Sequence, residues 1–198
     1  MATDSAVFRE RLSHVYWVGG GSGAGKSTIA RRIAARHGLR VYATDDVMAE
    51  HAHQASREDC PLLHTFLTMD MDERWVNQPP KTMLETFHWF RGEGFRLIVE
   101  DLLRLPREPG LIAEGFRLLP HLVEPLLPAP ARAVWLLPTP DFRRSVFESR
   151  GGAAWGFLAG TTWEGPCATC SNATGCSRTF CARRWRAWDC PPLRSTPR

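Results

Sequence analysis

The sequence predicts an α/β fold built on a parallel β-sheet, and three observations predict it. Short apolar runs alternate with segments of helical period from residue 15 to residue 150, a pattern that implies right-handed crossovers onto a parallel sheet. The first apolar run empties into a glycine-rich turn that opens a helix. The composition, 43% apolar and 23% charged over 198 residues, supports one packed core without staples and excludes wholesale disorder. No apolar run approaches the length of a membrane span, and residues 1–14 lack the apolar stretch of a secretory signal. We therefore expect a cytoplasmic protein with no membrane partner.

The elements follow in order. Residues 15–18, Val-Tyr-Trp-Val, read as a short buried strand. A glycine-rich turn runs from Gly19 to Gly25. Residues 27–37 read as a helix with Ile29, Ile33 and Ala34 on its apolar face and Arg31, Arg32 and Arg36 opposite. Gly38 stands where a C-terminal cap glycine belongs. Leu39 to Ala43 is the second strand, ending in Thr44-Asp45-Asp46, where either carboxylate can cap the next helix. Residues 47–105 are mostly helical, most clearly over 81–105, although Gly92 and Gly94 argue against one unbroken helix. Leu111-Ile112-Ala113 is the third strand, stopping at Glu114-Gly115. A short helix over 120–127, a fourth strand over Ala133–Leu137 and an arginine-bearing helix over 140–150 complete the pattern.

One motif carries chemistry. Gly20-Gly21-Ser22-Gly23-Ala24-Gly25-Lys26-Ser27 fits G-x-x-x-x-G-K-[ST] at every fixed position, between a strand and a helix as the motif requires. Glycines let the backbone wrap a phosphate with its N–H groups, and the helix N-terminus adds partial positive charge. Lys26 can reach the β- and γ-phosphates, and the Ser27 hydroxyl can ligate Mg²⁺. The phosphate-holding set is thus Gly20 through Ser27 with Thr28. The dinucleotide pattern G-x-G-x-x-G is absent.

Through this loop and the elements around it, residues 15–150 resemble the P-loop small-molecule kinases, relatives of nucleoside, shikimate and gluconate kinases and of chloramphenicol phosphotransferase. The resemblance implies a three-layer sandwich of strand order 2-3-1-4 with a fifth strand lost, a helical substrate-binding segment over about 47–105 and a lid over about 140–152. It implies ATP and Mg²⁺ as cofactors and phosphorylation of a small-molecule hydroxyl or phosphate. Asp45 first, and Asp46 second, would activate the acceptor, Asp45 also reaching the metal. Glu114 resembles the strand-end acid that holds Mg²⁺ through water. Arg143, Arg144 and Arg150 stand where related kinases carry lid arginines, with Arg150 and Arg143 expected to steady the transferring group. Arg117 can reach the substrate or face water. Asp70, Asp72, Glu73 and Arg74 are polar candidates in the helical segment, whereas Trp75, Phe87, Trp89 and Phe90 are expected mainly in the core. His51 and His53 read as a solvated helix face. The readings that compete with a kinase are a nucleotide-binding regulator or NTPase with no transfer substrate, a zinc module carried by the tail, and the inactive product of a damaged gene.

Charge and cysteine separate the tail from the body. Residues 1–160 carry 19 Lys and Arg against 19 Asp and Glu, so the whole net charge of +4 belongs to residues 161–198. A neutral body gives no support to a nucleic-acid partner. Five of the 6 cysteines lie there too, at Cys167, Cys170, Cys176, Cys181 and Cys190. Cys167-x-x-Cys170 has zinc-knuckle spacing, with Cys176 and Cys181 as further ligands, but the second spacing is poor. We read the tail instead as a frameshift. Cys and Trp codons both begin TG, and moving the frame back one base turns each into Leu, Met or Val. The apolar positions then become 167, 170, 171, 176, 177, 180, 181, 185 and 188, a helical pattern. As written, residues 161–198 are expected to lack regular structure. Resequencing across codons 155–170 should find a one- or two-base indel; an intact frame makes the cysteine cluster real and zinc content the next measurement.

Overall fold

The computed structural model describes residues 2–150. Residues 151–160 of the expected domain, the end of the expected lid at 152, the tail read as a frameshift and its cysteines all lie outside the described residues. Four parallel strands form the sheet: β1 (Val15–Gly20), β2 (Arg40–Ala43), β3 (Leu111–Glu114) and β4 (Ala133–Leu136). Their order is β2-β3-β1-β4, as expected. The register pairs Val15 with Leu111 and Arg40 with Leu111, so β1, β3 and β2 start level with one another, and β1 runs on to Gly20 against β4.

Period-2 alternation sends the strand residues to two cores. Val15, Trp17, Leu111 and Ala113 face one side, where they meet Leu12, Ile98, Leu102, Leu118 and Val123. These partners come from α7 (Phe95–Arg104), α8 (Pro120–Val123) and the residues flanking α1 (Ala2–Arg11) and α8. Val18 and Ile112 face the other side, against Ala30 and Ala34 of α2 (Lys26–His37). The helix α1 has no counterpart in the sequence reading.

The face of α2 corrects an expectation. Ile29 and Ile33 are exposed at 38% and 39%, and the buried stripe is Lys26, Ala30 and Ala34. These three lie at i, i+4 and i+8, one face of a helix. Small alanines let α2 lie close against β1 and β3, and the same stripe turns Lys26 inward. Gly38 closes the helix in the left-handed conformation, φ 64°.

Between β2 and β3 the chain is helical but broken into short pieces: α3 (Met48–Gln54), α4 (Pro61–Thr68), α5 (Met71–Trp75), α6 (Pro80–Thr86), a 3-10 turn (His88–Arg91) and α7. The breaks at Gly92 and Gly94, both at positive φ, divide the stretch 81–105. Asp70 and Glu73 form a reciprocal capping box on α5. Arg74 donates to the carbonyls of Phe66 and Leu67 at 2.9 Å each. Asp70 and Glu73 therefore close the start of α5, and Arg74 ties α5 to α4. After β4, α9 (Pro140–Ser149) starts on a Thr139 cap.

Cys60, Leu63, Phe87 and Trp89 form a third apolar cluster within the helical segment, so Phe87 and Trp89 are core residues as expected. His88 is buried among these rings, 4.8 Å from Phe66 and 4.3 Å from Trp89 between centroids. Burial first, then the charges of Arg117 and Arg74, push its imidazole down to about 3. Unfolded, it binds a proton near pH 6.5; folded, it stays neutral until about pH 3. The folded state therefore loses stability as pH falls between those limits, by about 1.4 kcal/mol per pH unit. Urea titrations should show the wild type losing about 2–3 kcal/mol more than His88→Phe between pH 6 and pH 4. Equal losses in the two proteins would place His88 in contact with water.

Candidate functional site

Strand ends build the site. β1 runs out into the glycine loop, β2 into Thr44 and Asp45, and β3 into Glu114 and Gly115, all at the carboxyl edge where ligands bind open parallel sheets. Two hydrogen bonds carry the register past the strands: the Thr44 N–H donates to the Glu114 carbonyl (2.8 Å), and the Gly115 N–H to the Val18 carbonyl (3.1 Å). Gly115 has a φ of +152°, and a Cβ there would lie 1.8 Å from Thr44 Oγ1. Only glycine lets β2 and β3 close together at this point.

The loop itself turns on Gly20, Gly23 and Gly25, whose φ angles are 121°, 76° and 80°. A Cβ on Gly20 would meet the Leu136 carbonyl oxygen at 2.2 Å, so the loop leaves β1 pressed against the end of β4. The Ala24 N–H donates to the Gly21 carbonyl at 3.3 Å. Lys26 follows as the first residue of α2, and its Nζ folds back to donate to the Gly21 carbonyl at 2.9 Å. Gly21, Ser22, Gly23, Ala24, Gly25 and Ser27 keep part of their surface open, whereas Thr28 is exposed on α2. Lys26 is buried, and that burial pulls its ammonium down; the charges of Asp45 and Glu114 oppose the effect, while Arg150 and Arg143 add to it.

Both carboxylates near Lys26 are raised. Glu114 is buried at 4% exposure. Desolvation pushes it up; a hydrogen bond from Ser27 pulls it down, and the Asp45 charge pushes it up again. Asp45 keeps surface open at the cleft mouth, but the surrounding protein displaces enough water to raise its carboxyl against the pull of Lys26, Thr44 and Arg117. Asp46 is exposed beside it. Neither carboxylate caps α3, whose N-cap is Val47 without a side-chain hydrogen bond. The capping alternative for Asp45 and Asp46 is thereby excluded.

α9 covers the loop from above. A Cβ on Gly23 would lie 3.5 Å from Val146 and 3.7 Å from Phe147. Arg143 stacks over the Phe147 ring at 5.6 Å, and Arg150 ends the helix close enough for its charge to act on Lys26. Arg144 is exposed. Lys26, Ser27, Asp45, Glu114, Arg143 and Arg150 thus belong to one electrostatic cluster, although they come from four separate parts of the chain. Among the described residues no three His, Cys, Asp or Glu side chains converge to hold a metal by themselves. The donor set Ser27, Glu114 and Asp45 suits Mg²⁺, which is held by few protein oxygens and keeps several waters.

A buried polar network behind Asp45 escaped the sequence reading. Arg117 is 2% exposed and lies over the Trp89 ring at 4.1 Å. It donates to the Thr44 carbonyl (3.3 Å), to His51 Nδ1 (3.2 Å) and to the Gly94 carbonyl (3.3 Å). His51, far from being solvated, is 2% exposed. Its Nδ1 accepts from Arg117, so its Nε2 carries the proton and donates to Asp101 Oδ2 at 2.8 Å. The Tyr42 hydroxyl donates to the same oxygen at 2.7 Å. Desolvation lowers the Arg117 guanidinium to about 10. His53 remains exposed on the outer face of α3. The one sequence hint of this network was polar residues, Asp101 above all, within apolar periodicity. No helix among the described residues is long and apolar enough to cross a membrane. No protein-family model matches the chain, and no curated protein matches it.

Proposed function

We propose that the protein is an ATP-dependent phosphotransferase acting on a small-molecule hydroxyl or phosphate, working in the cytoplasm and without a nucleic-acid partner. The observation that carries this reading is the convergence of Lys26, Ser27, Asp45 and Glu114 on a left-handed glycine loop at the carboxyl edge of the sheet. A loop with this much glycine at positive φ, backed by a buried lysine, suits a polyphosphate.

In this reading the loop amides and Lys26 hold the β- and γ-phosphates. Ser27, with Glu114 and Asp45, would hold Mg²⁺, which when bound would supply charge neutralisation on the phosphate oxygens. Asp45 accepts the acceptor's proton as its oxygen bonds to phosphorus and the bond to the ADP oxygen breaks. A carboxyl raised by burial is a better base than an ordinary one. Arg143 and Arg150 stabilise the charge on the transferring group from the α9 side. Label transfer from [γ-³²P]ATP into a metabolite extract tests the proposal. One labelled small molecule is the expected result. Failure to bind Mg·ATP overturns the reading, and phosphate release with no labelled product reduces it to a hydrolase.

A further inference from the structure

The helical segment holds a cavity of about 120 Å³ between α4 and α6. Its walls are Leu62, Phe66, Met69, Met83 and Phe87. Three threonines complete the lining, and two of them turn their hydroxyls onto their own helices: Thr65 donates to the Pro61 carbonyl and Thr86 to the Thr82 carbonyl. The interior is therefore apolar, and ordered water would find few partners in it.

Two polar side chains also line it, and they differ in how they are used. Arg74 spends its guanidinium on the α4 carbonyls and lies over the Phe66 ring at 5.1 Å. Among the described residues Gln78 donates its Nε2–H only to the thioether of Met69, at 3.0 Å, a weak acceptor. Its carbonyl meets no partner among the described residues. The cavity thus offers aromatic and methionine walls with two acceptors unspent among the described residues, the Gln78 carbonyl and, on the exposed rim, the Thr82 hydroxyl, a mostly apolar lining with few polar groups as small-ligand sites have.

We propose that this cavity binds one aromatic ring carrying a single hydrogen-bond donor, the ring lying against Phe66 and Phe87 and the donor on the Gln78 carbonyl. Apolar cavities of about 150 Å³ accept a benzene-sized ring, and two flexible methionines let this one adjust. Phe66 and Phe87 already pack edge to face, 5.7 Å apart, and an inserted ring extends that arrangement. The site is also tied to the strand ends. Phe66 and Phe87 both contact His88, His88 contacts Trp89, and Trp89 carries Arg117, which holds the Thr44 carbonyl next to Asp45. A ring in the cavity therefore rests on the wall that positions Asp45.

The test uses phenol and the full chain with ¹³C-methyl methionine, and it needs no ATP, so it fails or succeeds independently of the phosphotransferase reading. Phenol should shift the Met69 and Met83 methyls saturably, more than Met48 or Met71, with a Kd near about 1 mM. Gln78→Leu should weaken phenol about tenfold and leave toluene binding unchanged. Thr82→Phe, on the exposed rim, should fill the cavity and abolish both. No saturable shift of Met69 and Met83 up to about ten times that concentration overturns the proposal, as does a Gln78→Leu variant with undiminished affinity for phenol. Should Thr82→Phe not fold, the wild-type comparison of the four methyls decides alone. Label passing from [γ-³²P]ATP to bound phenol identifies the ring as part of the acceptor; binding without label identifies a separate effector, and each supports the site.

Discussion

Lys26→Ala is expected to lower ATP-dependent turnover by more than about 10³-fold, roughly 4 kcal/mol of transition-state stabilisation. The ammonium sits at the inner end of the glycine loop with its Nζ on the Gly21 carbonyl, and the charges of both Asp45 and Glu114 act on it. Removing it takes the ammonium away from two raised carboxylates that lie beside the expected phosphate position. Stability should change little. The lost hydrogen bond and the lost attraction to the two carboxylates are offset by release from the burial that already pulls this ammonium down. A thermal melt within a few degrees of wild type, with loss of turnover and weakened Mg·ATP affinity, is the expected pair of results. Undiminished phosphoryl transfer in a folded Lys26→Ala protein would sink the phosphotransferase reading.

Arg117→Ala should act the other way, on the fold before the chemistry. The guanidinium joins three elements through the Thr44 carbonyl, His51 and the Gly94 carbonyl. Truncation leaves the buried Thr44 carbonyl and His51 Nδ1 without this donor, while the Gly94 carbonyl keeps the Leu97 N–H at 3.2 Å, and it opens a void under Trp89. The expected cost is about 3–5 kcal/mol, a large share of the roughly 5–15 kcal/mol that holds a typical domain folded. Arg117→Lys should recover less than half, because one ammonium cannot span three acceptors set around a planar fork. Urea unfolding measures both. A loss below about 1 kcal/mol for the alanine variant would mean that the network contributes nothing beyond its geometry. The variant that stays folded should also lose turnover, since the carbonyl of Thr44 is then free to shift Asp45.

The glycine loop and the alternation of strand and helix were legible in the chain, because each depends on neighbours close in sequence; the order of the strands, set by pairings far apart in sequence, was expected only from the resemblance. Gly20, Gly23 and Gly25 demand positive φ wherever the domain packs, and Gly38 ends α2 by the same local rule. Which face of α2 goes inward was not legible. Hydrophobicity favoured Ile29 and Ile33, whereas contact with a flat sheet favoured the small side chains of Ala30 and Ala34. Asp70, Glu73 and Arg74 looked like ligands for substrate until their partners proved to be backbone groups of α4 and α5.

By itself the sequence determined a parallel α/β sheet and a G-x-x-x-x-G-K-S loop at its first strand, with Lys26 and Ser27 at the loop's end. Tertiary structure decided what surrounds that loop. Tyr42, His51, Asp101 and Arg117 come from β2, α3, α7 and the segment after β3, and no spacing rule links them. They meet because a buried cation and a buried carboxylate are costly alone and must find polar partners wherever the folded chain provides them.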